Sequence, residues 1–152
     1  MICETIGIMK KSRGEMSIVE LHERILKLLN SSTVFLIATV DQRGFPNVIT
    51  VSRPLWREGL LRMRFYVDGE GETVQNILKN PNGSVCCYQE MQFESMALKG
   101  KFTIEPVDSV DEVESSLTDY QRALAHKKPV VLSFETWTAK IHIDKQTKEI
   151  IV

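Results

Sequence analysis

The stretch Phe65-Tyr66-Val67-Asp68-Gly69-Glu70-Gly71-Glu72-Thr73 concentrates more potential chemistry than any other part of the sequence. It closes an alternating run and opens a short helical pattern. Glycines leading into a helix N-terminus expose backbone N–H groups suited to an anion. The side chains around those glycines are acidic, namely Asp68, Glu70 and Glu72. They suit a solvated turn that complements the helix dipole, and this reading carries the greater weight. The acids lack the spacing of an EF-hand loop. Arg53-Pro54 is the other candidate: Arg53 reads either as an anion ligand or as a surface arginine at a strand end, with Pro54 fixing the backbone after it. Trp56 and Trp137 are expected to fill the core or an interface. His22, His126 and His142 are scattered, and no Ser-His-Asp, Cys-His or paired-carboxylate arrangement follows from their spacing. Cys3, Cys86 and Cys87 match no CxxC or zinc pattern, so no metal site is expected. Adjacent residues on a strand point to opposite faces, so Cys86 and Cys87 form no ordinary disulfide and read as a small core residue and its neighbour.

These residues need elements to hold them. Ser17 and Glu20 form a capping box, followed by Ile18, Leu21, Ile25, Leu28 and Leu29 at helical spacing. Residues 33–40 (TVFLIATV) and 46–52 (PNVITVS) read as a hairpin across the Asp41–Gly44 turn. Leu61, Met63, Phe65 and Val67 alternate with polar or amphipathic residues, which predicts a half-buried strand. A short helix is predicted over 72–79, with Val74, Ile77 and Leu78 on its apolar side, stopped by Asn80-Pro81-Asn82-Gly83. Strands follow at 84–88 and 95–105. In the second, Gly100 interrupts an apolar face and marks a bulge or a close backbone approach. A capping box at Ser109 and Glu112 opens a helix predicted to run to about His126, before strands at 130–143 and 148–152. About six strands joined by short turns favour an antiparallel sheet closed into a small barrel, with helices outside: an α+β fold.

Composition narrows the classes of function. The chain has 152 residues, which suits one domain, here 16–152, after a leader or arm at 1–15. A formal charge of −1 supplies no broad basic field for nucleic acid. No apolar run reaches membrane-span length, and the first fifteen residues lack the apolar core of a signal peptide. The cysteine usage points to a reducing cytoplasm.

The order of elements and four motifs resemble the pyridoxamine 5′-phosphate oxidase-like FMN-binding split barrels, in the small general-stress-protein branch. Phe35-Leu36-Ile37-Ala38-Thr39-Val40-Asp41 with Gly44 and Pro46 resembles the family's opening L-A-T-x-x-x-x-G-x-P hairpin. Ser52-Arg53-Pro54 resembles the following strand, where an arginine reaches the FMN phosphate. Residues 65–77, followed by Asn80-Pro81, are similar to F-Y-T-x-x-x-S-R-K-x-x-x-L, and Lys99-Gly100-Lys101 to a later V-x-G-x strand. Together these pieces span about Ser17 to Val107.

The resemblance implies a homodimer with two FMN sites at the subunit interface, each built from both chains, and an oxidoreductase acting on an unspecified small substrate. It places Arg53, Pro54, Val67, Asp68, Gly71, Thr73 and Ser95 at cofactor-binding positions. The sequence departs from the pattern at several of these positions and their neighbours. Val67 stands at the usual Thr, Gly71 at the Ser, Glu72 at the Arg and Thr73 at the Lys, while Ser95 and Ala97 stand where the oxidases proper show Gln and Arg. Two lost charge-assisted hydrogen bonds loosen binding by about two to four decades. A carboxylate about 5 Å from a phosphate costs on the order of 3 kcal/mol more. Arg53, Arg62, Lys99 or Lys101 are the cations available to offset this. The oxidases' C-terminal Arg-x-His element is not matched, which points away from pyridoxamine-phosphate oxidation. The alternative reading is a non-enzymatic split-barrel dimer that has lost FMN and binds another small ligand.

Overall fold

The structure is a computed structural model and describes residues 16–107 and 113–152. The expected leader at 1–15 and the Ser109–Glu112 capping box lie outside the described residues. Helix α1 (Ile18–Ser31) starts where the Ser17 hydroxyl accepts the Glu20 N–H, at 3.2 Å. Its Leu21, Ile25, Leu28 and Leu29 stripe enters the core. The hairpin β1 (Val34–Val40) and β2 (Pro46–Ser52) follows in antiparallel register, with Ile37 opposite Ile49. A short β3 (Trp56–Glu58) turns back on β4 (Arg62–Asp68), which leads into α2 (Glu72–Lys79). Then come β5 (Asn82–Gln89), a single 3-10 turn, and β6 (Glu94–Pro106). Helix α3 (Asp119–Leu124) precedes the long β7 (Pro129–Ile143) and β8 (Gln146–Ile151).

One antiparallel eight-stranded sheet results, in the order β2-β1-β5-β6-β7-β4-β3, with β8 also on β7. Strand β7 holds it together. Nearly its whole length pairs with β6, its first half pairs with β4, and its second half pairs with β8. The change of partner falls at Thr136, whose N–H donates to Leu61 O at 2.9 Å. Opposite it the β6 register shifts between Lys99 and Gly100, leaving Trp137 without a counterpart on β6. A bulge there bends the sheet. Gly100 permits it, since a Cβ at that position would sit 1.9 Å from the Glu135 carbonyl oxygen. The curled sheet brings β2 against β4, and the α+β split barrel expected from the sequence is the fold observed. Its core is continuous, with Phe102 on Phe134 (ring centroids 4.8 Å apart) and Phe35 on Phe65 (5.9 Å).

Three sequence-based expectations are corrected and a fourth is narrowed. The described residues form eight strands rather than about six, because the three-residue β3 carries no alternation long enough to mark it. Leu78 is 66% exposed, since the inward face of α2 is made by Thr73, Val74, Asn76 and Ile77. The helix drawn to His126 is interrupted at 115–118, where Thr118 and Gln121 form a fresh capping box for α3, and Ala125 ends it in the left-handed region. Trp56 and Trp137, expected in the core or at an interface, lie outside the core: each is 47% exposed, the first beneath the Arg64 guanidinium (5.3 Å from the ring centroid) and the second at the bulge.

Candidate functional site

Alternation on β4 puts Met63, Phe65 and Val67 into the core and turns Arg62, Arg64, Tyr66 and Asp68 outward. The chain leaving β2 is tied to this outer flank by the Leu55 N–H, which donates to Arg64 O at 2.8 Å. At the other end of β2, the Asn47 amide donates to Thr73 Oγ1 in α2 at 3.3 Å. Arg53 and Pro54 therefore lead in beside β4 near Arg64, while the β4–α2 turn lies toward the Asn47 end of β2. Arg53 is exposed and Pro54 half-buried. Arg53 lines a groove of about 560 Å³ whose floor is Val34, Thr50 and Ser52 and whose far wall is Thr118 and Tyr120. That volume lies within the roughly 300–1,000 Å³ of small-molecule sites. The wall belongs to the segment that carries His126, whose ring lies 5.7 Å from Tyr66. Burial under this segment pushes the Tyr66 phenol up, with Glu114 adding to the effect.

The β4–α2 turn uses its own polar groups. The Asp68 carboxylate accepts the Glu70 N–H at 3.0 Å, and the Asp68 carbonyl accepts the Gly71 N–H at 3.3 Å. The Gly69 N–H goes to Lys128 O at 2.8 Å, an approach so close that a Cβ on Gly69 would lie 2.3 Å from that oxygen. Lys128 Nζ lies 3.6 Å from Glu70 Oε1. Thr73 is 5% exposed and its hydroxyl faces Asn47, while Asn76 bonds Thr39 at 3.1 Å. The Val67 side chain is in the core, so only its backbone is on the flank. The groove beside Arg53 thus fits a flat ring with one cation at its rim. The turn commits the Glu70 and Gly71 N–H groups to Asp68 and sets Glu72 at the start of α2, a negative charge where a phosphate dianion calls for a positive one, while the first N–H groups of α2 carry no side-chain cap.

Ser95 lies elsewhere. It lines a second cavity of about 450 Å³ on the outer face of β5, β6, β7 and β8, with Cys86, Tyr88, Ala97, Lys140 and His142. Ladder register explains the grouping: Tyr88, Ser95, His142 and Thr147 follow one another across four strands. His142 Nδ1 is 3.0 Å from Thr147 Oγ1. Within one chain, Arg53 and Ser95 line different cavities. Arg62, Lys99 and Lys101 line neither of the two. Burial pushes the Cys87 thiol up to about 11, against a smaller opposing pull from its hydrogen bond with Ser32, and burial also raises Cys86. Neither is a poised thiolate. Among the described residues, no group of three or more His, Cys, Asp or Glu could hold a metal ion, and no helix is long and apolar enough to cross a membrane.

Sequence reasoning missed Thr118 and Tyr120 as groove residues. The Thr118–Gln121 capping spacing was the signal that could have found them. No local pattern marks Asn47 as the partner of Thr73.

The family model described as pyridoxamine 5′-phosphate oxidase matches residues 21–142. No curated protein sequence matches the chain. Among solved structures, the chain is similar to a general stress protein 26-related protein of Clostridium acetobutylicum (TM-score 0.71, 17% identity, 87% of this chain and 94% of that one). It is also similar to general stress protein 26 of Bacillus anthracis (TM-score 0.69, 14% identity, 87% and 98%). A pyridoxamine 5′-phosphate oxidase-related, FMN-binding protein of Nostoc punctiforme matches with TM-score 0.61 and 13% identity, over 91% of this chain and 98% of that one.

Proposed function

Because the chain belongs to the pyridoxamine 5′-phosphate oxidase family, we propose that it is a flavin-binding protein working as a homodimer, and an oxidoreductase on a small substrate. The observation that carries this reading is the groove beside Arg53, of small-ligand size and with a single basic side chain among its described lining residues. In this reading Arg53 donates hydrogen bonds to the polar edge of the ring. Pro54 and the Val67 backbone shape the flank, and Thr118 with Tyr120 screens the ring from water. The Ser95 face of a second copy completes the site, which reconciles two candidate residues that one chain keeps apart. A bound flavin supplies the electron transfer; the protein's part is to orient it and exclude solvent. The family's cofactor is FMN, and the Nostoc relative is an FMN-binding protein. The ring end of FMN fits this chain better than the phosphate end.

A second reading has one observation in its favour. The Asp68-closed turn suits a dimer that has abandoned FMN for another small ligand, without redox activity. Visible spectroscopy of the purified protein, flavin titration and light scattering separate the two. Flavin bands or saturable quenching, together with a dimer mass, support the first reading. No binding up to about 100 μM flavin, an affinity weaker than about −5.5 kcal/mol, refutes it.

A further inference from the structure

We propose that the cavity at Ser95 receives a small planar molecule by an anionic head group held between Lys140 and His142. In the flavin reading above, on which this last step rests, that molecule is the substrate, because the Ser95 face is the part of the site that the second copy supplies. The cavity itself belongs to a single chain. Its volume of about 450 Å³ is that of a small-ligand site. Its described lining residues include one lysine, one histidine and three hydroxyl side chains, and no carboxylate.

Strand register builds the basic pair. Tyr88, Ser95, His142 and Thr147 form one cross-strand row, and Cys86, Ala97 and Lys140 form the next. Lys140 and His142 stand two residues apart on β7, so they share a face and lie about 7 Å apart along the strand. That spacing lets an ammonium and an imidazole meet the same carboxylate or phosphate. Beside them the floor is low, because Ala97 and Cys86 carry small side chains. The exposed Tyr88 ring forms a wall for a planar body. Burial raises the Cys86 thiol, so it meets a ligand as a neutral group.

The acids nearest this face are held elsewhere. Glu94, next to Ser95, and Asp144, two residues beyond His142, both bond the Arg24 guanidinium. Glu149 is opposite Lys140 in register, but it is exposed and does not line the cavity. Among the described residues, no carboxylate forms an ion pair with Lys140, and the Ser95 hydroxyl has no partner. Thr147 aims His142: a hydroxyl donating to Nδ1, 3.0 Å away, leaves the ring proton on Nε2 as a donor for an anion. Charge-assisted hydrogen bonds of this kind are the strong ones.

The test is calorimetric titration of the full chain, without added flavin, with naphthoate, naphthyl phosphate and the neutral naphthamide. At least one anionic probe is expected to bind about 10- to 100-fold more tightly than naphthamide, and the tighter of the two identifies the head group. Lys140→Met keeps the apolar stem and should remove most of that preference. His142→Asn should remove about three- to tenfold of it, and serves as the second variant if the first fails to fold. Lys79→Met, at an exposed position on α2 outside the cavity, should leave the preference unchanged. No preference for either anion, or a preference that survives both cavity variants, overturns the inference and leaves the flavin reading intact. A preference that Lys79→Met removes equally also overturns it, since the probes would then be reporting net charge. Anion preference in a chain that binds no flavin keeps the cavity site and overturns its assignment to a substrate.

Discussion

Replacing Arg24 by Met tests the clasp that fixes the start of β6 beside Ser95. Glu94 is 4% exposed, and its carboxylate meets Arg24 Nη2 at 2.5 Å. The same guanidinium forks onto both oxygens of Asp144, each at 3.2 Å, which raises the Arg24 pKa with Asp144 as the larger cause and Glu94 next. Met keeps the apolar stem and deletes the charge, leaving a buried carboxylate without that partner. Breaking a buried pair this way costs about 3–5 kcal/mol. Arg24 is itself 32% exposed and water reaches its outer side, so the lower end, about 3 kcal/mol, applies. The Asp144 arm is 63% exposed and adds less than about 1 kcal/mol. For a chain of this length the loss lowers Tm by about 6–12 °C. Glu94→Gln should cost about 1–2 kcal/mol, since the amide still accepts from Arg24. The double variant should cost less than the two single changes added together, by about 1.5 kcal/mol or more. Urea melts of the four proteins measure the cycle. An Arg24→Met loss below about 1 kcal/mol with coupling below about 0.5 kcal/mol would mean that Glu94 finds water or another donor, and the reasoning would fail.

Arg53→Ala should weaken flavin binding about 10- to 100-fold with Tm unchanged, as measured by fluorescence titration beside a thermal melt; unchanged affinity removes Arg53 from the site. Gly100→Ala drives a Cβ against the Glu135 carbonyl, and urea denaturation should show a loss of about 3 kcal/mol or no soluble protein. Asp144 and Lys145 both have positive φ (54° and 62°) in the two-residue β7–β8 loop, so Lys145→Gly should raise stability by about 1 kcal/mol while Asp144 keeps its hold on Arg24. Cys87 is held near 11 in the fold against a reference of 9.0, so the unfolded chain releases this proton first. Its contribution, up to about 3 kcal/mol, is intact below pH 9 and lost as pH rises from 9 to 11. Denaturant midpoints for Cys87→Ala should fall less steeply over that range than those of the unchanged chain.

The sequence disclosed what local periodicity and local caps determine. The β4 alternation, the bounds of β2 and α2, the Ser17 cap and the special role of Gly100 all depend on neighbours within a few residues, or on a backbone constraint only glycine meets. What escaped depends on partners far along the chain. Leu78 reads as inward because it is apolar, but the orientation of α2 is set by Asn76 reaching Thr39 and by Thr73 meeting Asn47, contacts spanning 37 and 26 residues. The exposure of Trp137 follows from a register shift, which no periodicity encodes. The candidate site shows the same division more sharply. Arg53 and the acidic turn could be named from residue types, whereas the far wall of the groove comes from Thr118 and Tyr120, brought across by the fold. The resemblance also placed Glu72 and Thr73 where the family pattern has a cationic pair. It could not show that Asp68 closes the turn on itself, because that depends on the backbone path between Gly69 and Lys128. A substitution pattern alone would have been compatible with a weakened phosphate seat. Gly71 caps α2 without a side-chain bond, so what the sequence changes there is the charge at position 72 rather than the supply of backbone donors.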